Sequence, residues 1–163
     1  MIAGLLVAGV LKGATGIGYS SCALPFLVLG LGLETAISVL VVPAMATNLM
    51  MLFTAGQFQR AVLMFWPLYY ATLPGIVAGV ALSAAQHQDL ATRILGGMIV
   101  GYAILDALSP RLRLAPGLAK ALQVPVGLVN GFLTGLTGSQ VLPLVPFLLS
   151  LGLRADLLVQ AIN

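Results

Sequence analysis

Chemistry in this chain has to come from a short list of polar residues. Lys12 stands inside an apolar stretch, followed closely by Thr15, Ser20 and Ser21 around a Gly16-Ile17-Gly18 break. About 120 residues later, Thr137, Ser139 and Gln140 surround Gly138 in a similar setting, and Asn48 sits inside another apolar stretch between the two. One ammonium group with hydroxyl and amide donors nearby is suited to holding an anion, because the first supplies charge and the others supply directed hydrogen bonds. Equipment for bond-making chemistry is missing. The single histidine, His87, and the single cysteine, Cys22, belong to no Ser–His–Asp, Cys–His or metal-ligand pattern, so neither an enzyme nor a cofactor is expected.

Composition sets the solvent. Of 163 residues, 60% are hydrophobic and 7% charged, against about 25% charged in a soluble domain. Such a chain cannot cover a water-facing surface, and its partner is the lipid bilayer. The net charge of +3 is spread between apolar runs, which reads as loop topology and not as nucleic-acid affinity.

The elements that must position the polar residues follow from run lengths. Crossing about 30 Å of hydrocarbon takes roughly 20 apolar residues as helix. Thr35 to Gln57, Val62 to Ala84 and Leu90 to Leu108 meet that length. Ile2 to Thr15 and Ser20 to Leu31 do not; each covers only about 20 Å, and the glycines between them favour two half-helices. The same arrangement recurs. Residues Gly9 to Leu33 read GVLKGATGIGYSSCALPFLVLGLGL, and Gly131 to Leu153 read GFLTGLTGSQVLPLVPFLLSLGL, divided around Gly138. Both carry G-x-x-x-G-x-T-G, then small polar residues, then an apolar run through Pro-Phe to Leu-Gly-Leu. A duplicated Gly-rich interruption points to two related halves. The expected organisation is all-α and polytopic, with two broken-helix hairpins in inverted repeats. Residues 1–117 form a first repeat and 118–163 the beginning of a second, incomplete one.

Two topologies compete for the broken segments. If each crosses once, Arg60, Arg111, Arg113 and Lys120 share one side and oppose Arg93 and Arg154. If each is a re-entrant hairpin, Arg154 joins the larger group and Arg93 stands alone. The hairpin gives the sharper Lys/Arg asymmetry that cytoplasmic loops show, and it places the two hairpins on opposite faces.

A lysine near the bilayer centre costs roughly 3 kcal/mol on insertion scales, so Lys12 is read as a substrate contact. The competing reading is a side chain that snorkels to an interface, or a helix that starts upstream of Met1. A half-helix beginning inside the membrane also aims unpaired N–H groups at whatever precedes it, with Ser20 and Ser21 capping one and Ser139 with Gln140 the other. The alternative for the glycines is helix packing, the reading given to Gly75/Gly79 and Gly97/Gly101. Asn48, one turn after Pro43, either lines the same cavity or bonds a neighbouring helix. Trp66, Tyr69 and Tyr70 read as an aromatic belt, and Asp106 as a group facing headgroups.

The combined pattern resembles the TauE/SafE sulfite exporter family. The pieces that carry it are GVLKGATGIG followed by LPFLVLGLG, the VPAMATN stretch, and GFLTGLTGSQVLPLVPFLLSLGLRADLLVQA. The resemblance implies a multi-pass inner-membrane permease for small anions, sulfite, sulfonates or related organic anions, with access alternating as one repeat rocks against the other. Family motifs fall on Gly13, Thr15, Gly16 and Gly18, and on Gly135, Thr137 and Gly138, with Lys12 a basic residue that part of the family shares. Tyr19 and Ser139-Gln140 depart from the commoner glycine or small residue and put the particular anion in doubt. The resemblance also implies that the chain stops within its second repeat. A gated anion channel, a non-transporting membrane subunit and homo-oligomerisation all stay open at this point.

Overall fold

The structure, a computed structural model, describes residues 2–15, 19–85, 88–108, 113–139 and 143–163; the side chains at 2–5, 11, 14–15, 19–22, 85, 88–90 and 105–106 are not described. These residues form eight helices and no strand: α1 (Ile2–Thr15), α2 (Tyr19–Leu31), α3 (Leu33–Thr54), α4 (Phe58–Ala85), α5 (Gln88–Leu108), α6 (Pro116–Thr137), α7 (Leu144–Ser150) and α8 (Ala155–Ile162). α3 and α4 are long and apolar enough to cross a bilayer, and α5 contains a shorter apolar stretch. Large apolar side chains such as Leu29, Val42, Phe53, Leu63 and Val77 lie exposed along them, as a lipid-facing surface requires. The all-α membrane architecture expected from composition is what the chain adopts.

Two matched glycines set the corners of the repeated segments. Gly32, between α2 and α3, has φ 76°, and Gly152, between α7 and α8, has φ 61°. Both are the middle residue of Leu-Gly-Leu, and both occupy the left-handed region that a side chain disfavours. Each duplicated segment thus turns at the same residue.

The segments are hairpins. In the first, Ala8 of α1 shares a core with Ala23, Leu24 and Leu27 of α2, so the two helices lie side by side and not end to end. In the second, the N–H of Leu114, just before α6, donates to the carbonyl of Ser150 at the end of α7, 3.1 Å away. Between those residues the chain has run out along α6, about 33 Å of helix, and returned. The second copy departs from the half-helix expectation in one respect. α6 is a full 22 residues, begun by Pro116 in its first turn and stopped by Gly138 at φ 72°. Its return leg is the short α7, whose N-cap is Pro143 with no side-chain cap bond. Ser139 therefore does not cap the second half-helix.

α4 and α6 form the tightest contact in the molecule, and glycine makes it possible. A Cβ on Gly127, Gly131 or Gly135 would run into the carbonyl oxygens of Leu68, Thr72 or Ile76, and one on Gly75 or Gly79 into those of Leu128 or Phe132. The partners advance in step, so the helices are parallel. Close backbone approach at every fourth residue is how helices associate in lipid, where no hydrophobic effect drives them together. Gly75 and Gly79 thus pack as expected. Gly97 does not: a Cβ there would meet nothing within 4 Å.

α4 is kinked at Phe65 (φ −119°, ψ 16°), one turn into the region where Pro67 removes an N–H from the ladder. Beside this kink the carbonyl of Met64 accepts from Nε2 of Gln123 on α6 at 3.1 Å. A buried amide thereby supplies the partner that hydrocarbon cannot.

Two cores result. One gathers residues of α1, α2, α3 and α5, including Leu24, Leu27, Ala36, Leu40 and Leu95, with Leu136 from the end of α6. The other gathers Phe65 and Leu68 of α4 with Leu144, Phe147 and Leu148 of α7 and Ala161 and Ile162 of α8. Chain order and packing differ here. α4 lies between α3 and α5 in the chain but packs with α6, α7 and α8.

Candidate substrate site

The site lies where the two packed groups meet. Lys12, on the same face of α1 as Ala8, is 5% exposed. Its Nζ donates to Oδ1 of Asn48 on α3 and to Oδ1 of Asn163 after α8, both at 2.6 Å. Among the described residues no carboxylate neutralises it, the one ion pair being Arg154–Asp156 at 3.0 Å. Asn163 is itself held by its Nδ2, which donates to the carbonyl of Val159 at 2.7 Å. Two oriented amide oxygens spread the ammonium's field without cancelling its charge, so the site retains a full positive charge for a ligand.

Beside this cluster is a cavity of about 300 Å³. Its walls are largely apolar, from Leu52, Phe58, Leu68, Leu144 and Ile162, with polar groups from Tyr69 and Thr72 of α4, Asn130 of α6, Gln160 of α8 and Asn163 after it. Lys12 is linked to it through Asn163, which accepts its bond and also lines the cavity. Tyr69 donates to the carbonyl of Ala161 at 3.1 Å, and Thr72 back-bonds to that of Leu68 at 2.8 Å. Tyr69 therefore points inward, away from the aromatic belt expected of it. Trp66 and Tyr70 face outward in an edge-on pair with centroids 6.0 Å apart.

Near the cavity the α3–α4 turn is bonded to α8. The N–H of Gln57 donates to Oε1 of Gln160 at 3.2 Å, and its Nε2 donates to Oδ2 of Asp156 at 3.3 Å. Gln57 thus meets α8 at both Asp156 and Gln160, and Tyr69 meets it at Ala161, so the end of α3 and the first half of α4 both border α8. Arg154, beside Asp156, consequently lies at the same end of the bundle as Gln57 and Arg60 and, through the register of α4 on α6, as Lys120.

The remaining sequence-derived site residues fall into three groups. Thr137 and Ser139 are buried but serve the end of α6: Thr137 Oγ1 donates to the Leu133 carbonyl at 2.7 Å and accepts from the N–H of Ser139 at 3.3 Å. Gly135 faces α4, Gly138 abuts Ile37, and Gly13 has open space where its Cβ would be. Gly16, Gly18 and Gln140 lie outside the described residues, as do the side chains of Thr15, Ser20 and Ser21; α2 begins at Tyr19, which puts both serines in its first turn. Lys12 and Asn48, 36 positions apart, are the pair that folding brings together. Reasoning from sequence missed Tyr69, Asn130 and Gln160. The last two had a usable signal, each being an amide inside an apolar run.

The sulfite exporter TauE/SafE family model matches residues 1–162. The chain belongs to the TauE/SafE family. Its members are membrane transporters and not enzymes, which agrees with a buried cation in an apolar helical bundle. No curated protein and no solved structure matches this TauE/SafE chain.

Proposed function

We propose that this TauE/SafE protein is a multi-pass inner-membrane permease for a small sulfur oxyanion or sulfonate, bound at mid-depth by Lys12. The observation that carries this is an ammonium buried in an apolar bundle and held by two amide oxygens, one of which belongs to Asn163 at the edge of a largely apolar cavity that also presents Tyr69, Thr72, Asn130 and Gln160. Retaining a charge there costs roughly 3 kcal/mol, a cost that an anionic ligand offsets.

Access alternates as the α1–α2–α3–α5 group moves against the α4–α6–α7–α8 group. The cavity lies within the second group and meets the first at Leu52 of α3, and the Lys12–Asn163 bond crosses the boundary. Helix directions support inverted repeats: α6 is parallel to α4 and hence opposed to α3, whose C-terminal half meets the C-terminal end of α1 at Asn48. With Arg60, Lys120 and Arg154 on one face and Arg93 on the other, the Gln57 face is cytoplasmic.

The test is uptake of sulfite, sulfoacetate and chloride into proteoliposomes, wild type against Lys12→Gln. The expected result is saturable uptake of a sulfur oxyanion or sulfonate that disappears in a variant still eluting as a folded protein. Unchanged uptake in Lys12→Gln removes Lys12 from the site. Absence of uptake of all three anions by the wild type overturns the permease reading.

A further inference from the structure

Two buried amides in the cavity have hydrogen-bonding capacity that the protein leaves unused. Gln160 is 4% exposed, and its Nε2 has no partner. Its orientation is not free. Oε1 accepts the backbone N–H of Gln57, and only the oxygen can take that bond, so the end left over is a donor. Asn130 is 2% exposed, with Oδ1 unpartnered and no bond recorded to its nitrogen. An unpaired buried amide group costs about 1–3 kcal/mol. Nothing in the packing of α6 asks for an amide at position 130: its neighbour Gly131 makes the α4 contact, and Gln123 satisfies the kink. Both amides line the same cavity.

We propose that Gln160 and Asn130 form the oxygen-binding subsite of this transporter, taking the multi-oxygen head of a sulfonate or sulfite in preference to a halide. The inference rests on the anion-permease reading and adds the residues that recognise the head group. Gln160 donates to one oxygen. Asn130, with neither end committed, turns its Nδ2 toward a second. A head with separated acceptor oxygens satisfies two directional donors on different helices at once, which a spherical ion does less well. Both amides belong to the α4–α6–α7–α8 group, whereas Lys12 belongs to the other. The ligand's oxygens are thus read by one body and its charge by the opposing one, and a bound anion holds the two together.

The experiment is uptake kinetics and thermal unfolding of the protein with sulfite, methanesulfonate and chloride. Gln160→Glu keeps the acceptor for Gln57 and replaces only the cavity donor by an anionic oxygen. Its KM for the sulfur anion is expected to rise roughly ten- to a hundredfold, the range of one hydrogen bond to a charged group. Asn130→Leu removes the unpaired amide at similar volume. It is expected to raise the Tm of the ligand-free protein, to raise KM, and to diminish the thermal shift that saturating sulfonate produces. Higher stability with weaker binding is a combination that a packing residue does not give. Wild-type KM in both variants, with uptake still abolished by Lys12→Gln, overturns the subsite and leaves the permease standing. Loss of selectivity for sulfur anions over chloride in wild type also overturns it. No uptake of any anion by the wild type removes the reading on which it depends.

Discussion

Replacing Gly131 with alanine tests the parallel α4–α6 pair most directly. A Cβ at this position would meet the Thr72 carbonyl head on, with the carbonyl carbon at 2.9 Å and the Ile76 nitrogen at 3.0 Å. All three atoms are backbone in the middle of a helix, so no side-chain rotation relieves the clash. The helices must part by about 1 Å at this rung, and contacts at Gly127 and Gly135 one turn away on either side weaken with it. Overpacking of this kind costs about 1–3 kcal/mol, and a purely backbone clash belongs at the upper end. Against that, alanine in a helix interior gains about 1 kcal/mol over glycine. The net loss is about 2 kcal/mol, or a fall in Tm of roughly 4–8 °C for a domain of this size. Gly97→Ala supplies the control. It gains the same propensity and meets nothing within 4 Å, so its Tm should stay level or rise. Thermal unfolding of both variants in the same detergent is the measurement. Equal Tm values for Gly131→Ala and Gly97→Ala would refute the packing argument, whatever happens to transport.

Two further outcomes follow from the turns and the topology. Gly138→Ala adds strain at φ 72° and brings a Cβ to 2.7 Å from Cγ1 of Ile37, whereas Gly152→Ala adds strain at φ 61° with no clash; unfolding should show the first losing more stability than the second, by about 1 kcal/mol or more. Cysteines at Arg60, Lys120 and Arg154, placed one at a time in a Cys22→Ser background, should react with an impermeant thiol reagent from the face opposite to one at Arg93. Labelling of Arg154→Cys together with Arg93→Cys would contradict the hairpin return of α7.

Much of the helical plan was legible because run length and glycine placement act locally. The expected first half-helix of Ile2 to Thr15 is α1, and the span at Val62 to Ala84 differs from α4 by a few terminal residues. The hairpin was signalled only by the charge grouping of Arg154. What the sequence could not show is which side of an apolar helix faces protein. Hydrophobic periodicity orients a helix in water, but in lipid both faces are apolar and the pattern is weak. Tyr69 therefore read like its neighbours Trp66 and Tyr70, and Gly97 read like Gly75. The amides at 130 and 160 needed a cavity to give them meaning. Lys12 stood out because a charge in hydrocarbon is conspicuous in any orientation, while its partner Asn163 lies 151 positions away and only folding connects them.

The mismatch between chain order and packing limits how the two bodies can move. Because α4 sits in one body and both its sequence neighbours, α3 and α5, sit in the other, the chain ties the bodies together at each end of α4. The first tie is the three-residue turn 55–57, which spans at most about 10 Å, and the second joins Ala85 to Gln88. These ties lie at opposite ends of α4. The chain passes between the groups a third time, from α5 to α6, so under the proposed alternating access the groups would have to shift past each other with all three connections kept.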